Sequence, residues 1–211
     1  FEQQIVLTPD LCGRRAGLSP LAAFTIFQGI ASEHAEAIGV GGAAMAKRGE
    51  FWLTVHSRVD FYEPAYLMDA LTAQTWPECC EGRDIRCFRS YRLMHGEKIL
   101  GPEGKILRFE QSGFPADFPF RPGAAIDEPP TRFHDDLTQD EMVYPHLVRA
   151  TDIDMGRHMN NVVYIRLLLD CFSAKELASG MIRTIEAHYA SPCLEGETLG
   201  VFCRREEGRC R

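Results

Sequence analysis

The 211 residues carry 23 Lys+Arg against 30 Asp+Glu, a formal net charge of -7, and so acidic a chain lacks the basic surface that neutralises nucleic-acid phosphates. No apolar run approaches the roughly 20 residues that span a bilayer, and the opening FEQQIVLTPD has neither the basic nor the apolar region of a secretory signal. A cytoplasmic protein is expected, with no nucleic-acid partner and no membrane insertion.

In chain order, Ser19-Pro20 is a helix start: a Ser cap followed by Pro where its missing N–H costs nothing. Phe24, Phe27, Ile30 or Ala31, His34 and Ile38 follow at helical spacing, and Gly39 closes the segment, so residues 19–38 are predicted to form a helix with one apolar face. The small-residue stretch GVGGAAMAKRGE reads as a loop. FWLTVHSRVDF alternates Trp52, Thr54 and His56 against Leu53, Val55 and Ser57 and reads as a strand. Leu71–Trp76 and Ile85–Met94 read as further strands joined by the polar turn ECCEGRD. The stretch FPADFPFRPGAAIDEPPTRFHDD carries Pro115, Pro119, Pro122, Pro129 and Pro130, which forbid regular structure and mark a linker. Beyond it HLVRATDID reads as a strand and Asn161–Leu177 as one helix with Tyr164, Ile165, Leu168, Leu169 and Phe172 on its apolar faces. Ile182–Tyr189 and Thr198–Cys203 read as strands.

The two halves resemble each other. DFYEPAYLMDAL at Asp60–Leu71 and HYASPCLEGETL at His188–Leu199 share an aromatic, a Pro, an acid and a Leu in register, an offset of 128. Laying Phe24 on Tyr164 and Phe27 on Leu167 gives 140. The difference of 12 equals the length of GVGGAAMAKRGE, so one insertion reconciles the two alignments. A duplicated unit of long helix and antiparallel strands predicts an α+β double hotdog, with the sheets continuous and the helices side by side. The units are residues 1–115, a linker at 116–140, and residues 141–211.

The segment DIDMGRHMNN, residues 152–161, holds two acids, a His and the chain's two asparagines where strand passes to helix. Free N–H groups at a helix start polarise a carbonyl oxygen, a carboxylate activates water or attacks, and His moves protons near neutral pH. The bland reading is a cap and a loop histidine. The repeat shifts the balance, because His158 falls on Leu18 and Asn161 on Leu21, so only the second half carries the polar cluster. One polar half and one apolar half suit a long apolar substrate. The apolar helix face of Phe24, Phe27, Ile30 and Ala31 is then the expected substrate pocket. The eight cysteines, at 12, 79, 80, 87, 171, 193, 203 and 210, show no CxxC spacing, so reduced thiols and no zinc or other cofactor are expected.

These segments resemble the acyl-acyl carrier protein (acyl-ACP) thioesterase family of plants and bacteria. LSPLAAFTIFQGIASEHAEAIGVG is similar to its first helix, FWLTVHSRVDFYEP and the later TW to its first-half strands, and DIDMGRHMNNVVYIRLLLD to its Asp-x-Asn-x-His-x-Asn-Asn signature. The resemblance implies a thioester hydrolase acting on fatty acyl chains borne by acyl carrier protein. Asp154 would be the catalytic acid, His158 the imidazole, and Asn160 and Asn161 the helix-start pair. The family's catalytic Asn falls at Gly156, and its Glu at Pro192 beside Cys193. Restoring the family residue by Gly156→Asn is expected to give equal or higher activity, unless Gly156 holds a positive φ. Cys193 reads as a buried structural thiol more readily than as a nucleophile. The resemblance also leads one to expect a further strand before GPEGKILRF and more strands after Cys203. Alternatives carried forward are an acyl-CoA thioesterase of the same fold and a non-catalytic acyl-binding protein; a homodimer is compatible with each. Residues 149–211 hold nine basic and nine acidic residues, so the catalytic half is the one suited to an acidic carrier. Arg149, Arg157, Arg166 and Arg183 are the candidate contacts.

Overall fold

A computed structural model describes residues 1–49, 52–78, 86–109, 119–134, 136–179 and 182–211. Strand β1 (Glu2–Val6) leads into helix α1 (Pro20–Ala37) and the short helix α2 (Gly42–Arg48). Strands β2 (Leu53–Asp60), β3 (Ala70–Pro77), β4 (Arg86–His95) and β5 (Lys98–Phe109) follow. Within 119–134 the Pro-rich segment forms no helix or strand. Then come β6 (Met142–Leu147), helices α3 (Asn161–Leu169) and α4 (Ala174–Leu177), strands β7 (Thr184–His188) and β8 (Thr198–Phe202), and a hairpin of β9 (Arg205–Glu206) and β10 (Arg209–Cys210).

Helix α1 begins as its sequence predicts: the Ser19 hydroxyl accepts from the Ala22 N–H at 3.1 Å, Pro20 follows, and Gly39 at φ 75° turns the chain out. Its buried side chains recur at helical spacing and face an antiparallel sheet of order β1-β3-β4-β5-β2-β7. Phe27 stacks on Tyr91 of β4 at 4.8 Å. It also sits so close over Gly104 of β5 that a Cβ there would come within 2.8 Å of the ring. A glycine that weakens a strand is thereby what admits the ring.

Strand β7, from the second half, pairs along β2 from Asp60 opposite Thr184 to His56 opposite His188. Helix α3 packs beside α1, and its Ile165 and Leu169 join Phe24, Phe27 and Ile30 in one core. Side-by-side helices and a sheet continuous across the halves form the double hotdog. Strands β6 and β8 make a separate two-stranded sheet over a second cluster of Val148, Met159, Leu167 and Cys193. The repeat appears in the element ends: β2 closes at Asp60 and β7 at His188, while β3 opens at Ala70 and β8 at Thr198. Both offsets are 128.

Several details differ from the sequence reading. The inserted segment is not a plain loop: Gly42–Arg48 is helical, ended by Gly49 at φ 72°. HLVRATDID leaves its strand after Leu147 and forms a 3-10 turn at Ala150–Asp152. The helix expected over Asn161–Leu177 stops at Leu169. Ser173 is extended and bonds the Glu176 N–H (3.2 Å) while Glu176 accepts from the Ser173 N–H (2.7 Å). That capping box starts a new helix. No additional strand precedes GPEGKILRF, because β5 runs unbroken through Leu100 and Gly101. Cys79 and Cys80 lie outside the described residues.

His34 on α1 has a measurable consequence. It is buried, and its Nδ1 accepts from the Arg89 guanidinium at 2.8 Å. Burial, then the Arg89 charge, lowers its pKa to about 4. Between that value and about 6.5, the unfolded chain binds a proton that folded His34 refuses, so stability falls as pH is lowered through this window. The loss should reach about 2–3 kcal/mol by pH 4. Thermal melts of the parent and His34→Gln at pH 7 and pH 4.5 check this: a parent drop no larger than the variant's would refute it.

Candidate active site

Residues 152–161 form a compact loop that ends on α3. The Asp154 N–H donates to the His158 carbonyl (3.1 Å) and the Arg157 N–H to the Asp154 carbonyl (3.0 Å), closing a turn in which Arg157 takes φ 64°. Within the turn the Gly156 N–H donates to Asp154 Oδ1 at 2.8 Å. Asn160 caps α3, its side-chain oxygen accepting from the Val162 N–H at 2.8 Å. The Met159 N–H donates to the Cys193 carbonyl (2.8 Å), which docks the loop onto the segment after β7.

This geometry brings Asp154, Gly156 and His158 together. His158 Nδ1 stands 3.9 Å from Asp154 Oδ1 and 3.4 Å from the Met159 carbonyl. The separation from Asp154 exceeds a hydrogen bond, and rotation about the side-chain bonds can close it. Both side chains are partly exposed. Beside them lies a cavity of about 80 Å³, lined by His158, Met159, Asn161, Tyr164, Tyr189 and Pro192 and, from the first half, by Leu53, Thr54 and Val55. Helix α3 points its N-terminus, with Asn161 as first residue, at this cavity; Asn160 takes the Val162 and Val163 amides, which leaves the Asn161 N–H and its amide side chain at hand to bind an oxyanion.

Two cavity residues, Tyr164 and Tyr189, were missed as site residues by sequence reasoning. Their rings meet edge to face at 5.6 Å, and the Tyr189 hydroxyl bonds Ser57 of β2 at 3.0 Å. Burial pushes the Tyr189 phenol up to about 12, and burial together with the Cys193 thiol raises Tyr164. Both stay protonated at neutral pH. Helical spacing marked Tyr164 only as apolar, and Tyr189 reaches the cavity through the β2–β7 pairing, which no local pattern encodes.

A side chain at Gly156, as in Gly156→Asn, would press on His158 and Asp154 rather than on backbone. A Cβ on Gly156 would come within 2.8 Å of His158 Nε2 and 3.0 Å of Asp154 Oδ1. Positive φ is not the reason for the glycine, since the left-handed residue of this turn is Arg157. Cys193 is buried and anchors the loop through its carbonyl. Pro192 lines the cavity, and His188 is exposed on β7 away from it. Among the described residues no group of three or more His, Cys, Asp or Glu is placed to hold a metal ion.

Phe24, Phe27, Ile30 and Ala31 are not among the residues lining this cavity; all four are fully buried in the main core. Ala31→Leu should therefore overpack that core and cost about 1–3 kcal/mol. A lowered melting temperature with an unchanged acyl chain-length profile is the expected result, and a shortened preferred chain at unchanged stability would place these residues on the substrate path.

Residues 136–210 match the family described as the acyl-ACP thioesterase C-terminal domain. Among solved structures, the chain is similar to an acyl-ACP thioesterase from Bacteroides thetaiotaomicron at 21% identity, covering 97% of this chain and 86% of that one, with a TM-score of 0.82. It is similar to the 12:0-ACP thioesterase from Umbellularia californica at 18% identity, covering 96% and 86%, also with a TM-score of 0.82. A structure described as an oleoyl thioesterase from Lactobacillus plantarum matches at 17% identity over 94% and 81%, with a TM-score of 0.79. At these identities the likeness is one of fold. A search of curated proteins returned no match.

Proposed function

We propose that this chain, whose residues 136–210 match the acyl-ACP thioesterase C-terminal domain family, is a thioester hydrolase that releases fatty acids from acyl carrier protein in the cytoplasm. The observation that carries the reading is His158 on the wall of a cavity lined by both halves, with Asp154 beside it at 3.9 Å, just ahead of α3. The thioester carbonyl binds at the α3 N-terminus, where the backbone N–H and side-chain amide of Asn161 take up charge as the carbonyl becomes tetrahedral. His158 accepts a proton from water as its oxygen attacks the carbonyl carbon, and Asp154 orients the ring and stabilises the imidazolium. Collapse of the intermediate breaks the C–S bond, and His158 returns the proton to the leaving thiolate.

The carrier is the finer part of the proposal. Of the four arginines considered, Arg166 is engaged by Asp152 and Asp170, whereas Arg149, Arg157 and Arg183 are exposed. Those three supply positive charge to an acidic carrier, within residues 149–211, which carry no net charge against the -7 of the rest. We retain the division into an N-terminal unit at 1–115, a linker at 116–140 and a catalytic unit at 141–211.

The test compares matched acyl-carrier and acyl-CoA substrates of equal chain length. A higher kcat/KM on the carrier-borne substrate is expected. Preference for CoA would make the protein an acyl-CoA thioesterase, and tight acyl binding with no hydrolysis above background would make it a binding protein.

A further inference from the structure

Beneath the loop lies a charged cluster with no part in the chemistry described above. Asp152 is 6% exposed. Its Oδ2 accepts from His146 Nε2 on β6 at 3.0 Å and from the Arg149 N–H at 3.1 Å, and its Oδ1 accepts from Arg166 Nη2 on α3 at 3.0 Å. Its own carbonyl accepts from the N–H of Asn160, the α3 cap, at 2.9 Å. One residue thus ties β6, the 3-10 turn and α3 by its side chain, and both ends of the 153–159 segment by its backbone. Asp154, Gly156 and His158 all lie on that segment, and Ile153 bridges to Met159 within it.

A carboxylate taken out of water is costly unless every lone pair is engaged, and replacing one member of such a cluster leaves the others uncompensated. An apolar contact could bury the same space but could not fix direction on three elements at once. The mean position of a catalytic pair matters because an error of about 1 Å costs on the order of 100-fold in rate.

We propose that Asp152 is a positioning residue: through His146, Arg166 and the α3 cap it holds Asp154 and His158 in their working geometry. The inference rests on the hydrolase reading above. It is separable from it because the positioning can be read without turnover.

Asp152→Asn keeps the shape of the side chain but turns an amide toward the Arg166 guanidinium. Its kcat on acyl-carrier substrate should fall at least tenfold with KM within twofold of the parent, and Asp152→Asn with Arg166→Met should recover part of that loss. In a background of Asp154→Asn the same change should cost less than threefold, because little geometry is left to lose. Hydrogen exchange at the Asp154 and Met159 amides should quicken at least tenfold while the β2–β5 amides are unchanged. Should Asp152→Asn not accumulate as folded protein, His146→Leu removes one bond to the same carboxylate and should shift kcat and exchange in the same direction. Unchanged loop exchange and unchanged kcat in the folded variants overturn the proposal. Quickened loop exchange in a protein whose parent hydrolyses no thioester keeps Asp152 as the organiser of the loop and overturns the hydrolase reading alone.

Discussion

Alanine at His158 or at Asp154 should lower kcat on acyl-carrier substrate by about 100- to 10,000-fold, the range over which positioned proton transfer contributes. The fold should survive, because both side chains are partly exposed on a surface loop. The backbone bonds from Asp154 to the His158 carbonyl and from Met159 to the Cys193 carbonyl do not pass through the side chain of His158 or Asp154. Steady-state kinetics and thermal melts on the same preparations check both halves of the statement. Turnover near that of the parent in either variant would remove the Asp154–His158 mechanism.

The second large effect is expected at Gly156. Gly156→Ala adds a methyl where His158 Nε2 and Asp154 Oδ1 leave 2.8 and 3.0 Å. Both are the ends of rotatable side chains, so the clash is relieved by moving the two atoms proposed to carry the chemistry rather than the backbone. A fall in kcat of tenfold or more is expected with little change in melting temperature, and Gly156→Asn should do at least as much harm. Equal or higher turnover in either variant would show that the site re-forms around a larger residue.

The long elements were legible because their signals are local. Ser19-Pro20 and Gly39 set the bounds of α1, alternation gave β2, and the offset of 128 between Asp60–Leu71 and His188–Leu199 foretold where paired strands end and begin. Strand β1 was missed because Glu2–Val6 lies at the sheet edge with only half-buried alternation, and its existence depends on pairing with β3. The break in the second helix was written in Ser173 and Glu176 but hidden by the apolar spacing of Phe172 and Leu177 on either side. At the site, DIDMGRHMNN identified the loop, yet its two acids divide the work by burial. Asp152 turns inward to His146 and Arg166 while Asp154 stays partly exposed beside His158, a distinction that spacing does not contain.

The pairing of β2 with β7 also governs how the chain must fold. Its ladder joins residues 124 to 132 positions apart, from Asp60 with Thr184 to His56 with His188. Contacts so distant in sequence require the closure of a large loop before any bond rewards it, so this seam should be among the late and slow steps of assembly. Until it forms, β2 presents a bare strand edge carrying Leu53, Val55 and Val59, the kind of surface on which unfinished chains associate with one another. The N-terminal half made alone would keep that edge open permanently. The cavity beside His158, walled partly by Leu53 to Val55, therefore exists only once the last long-range strand is in place.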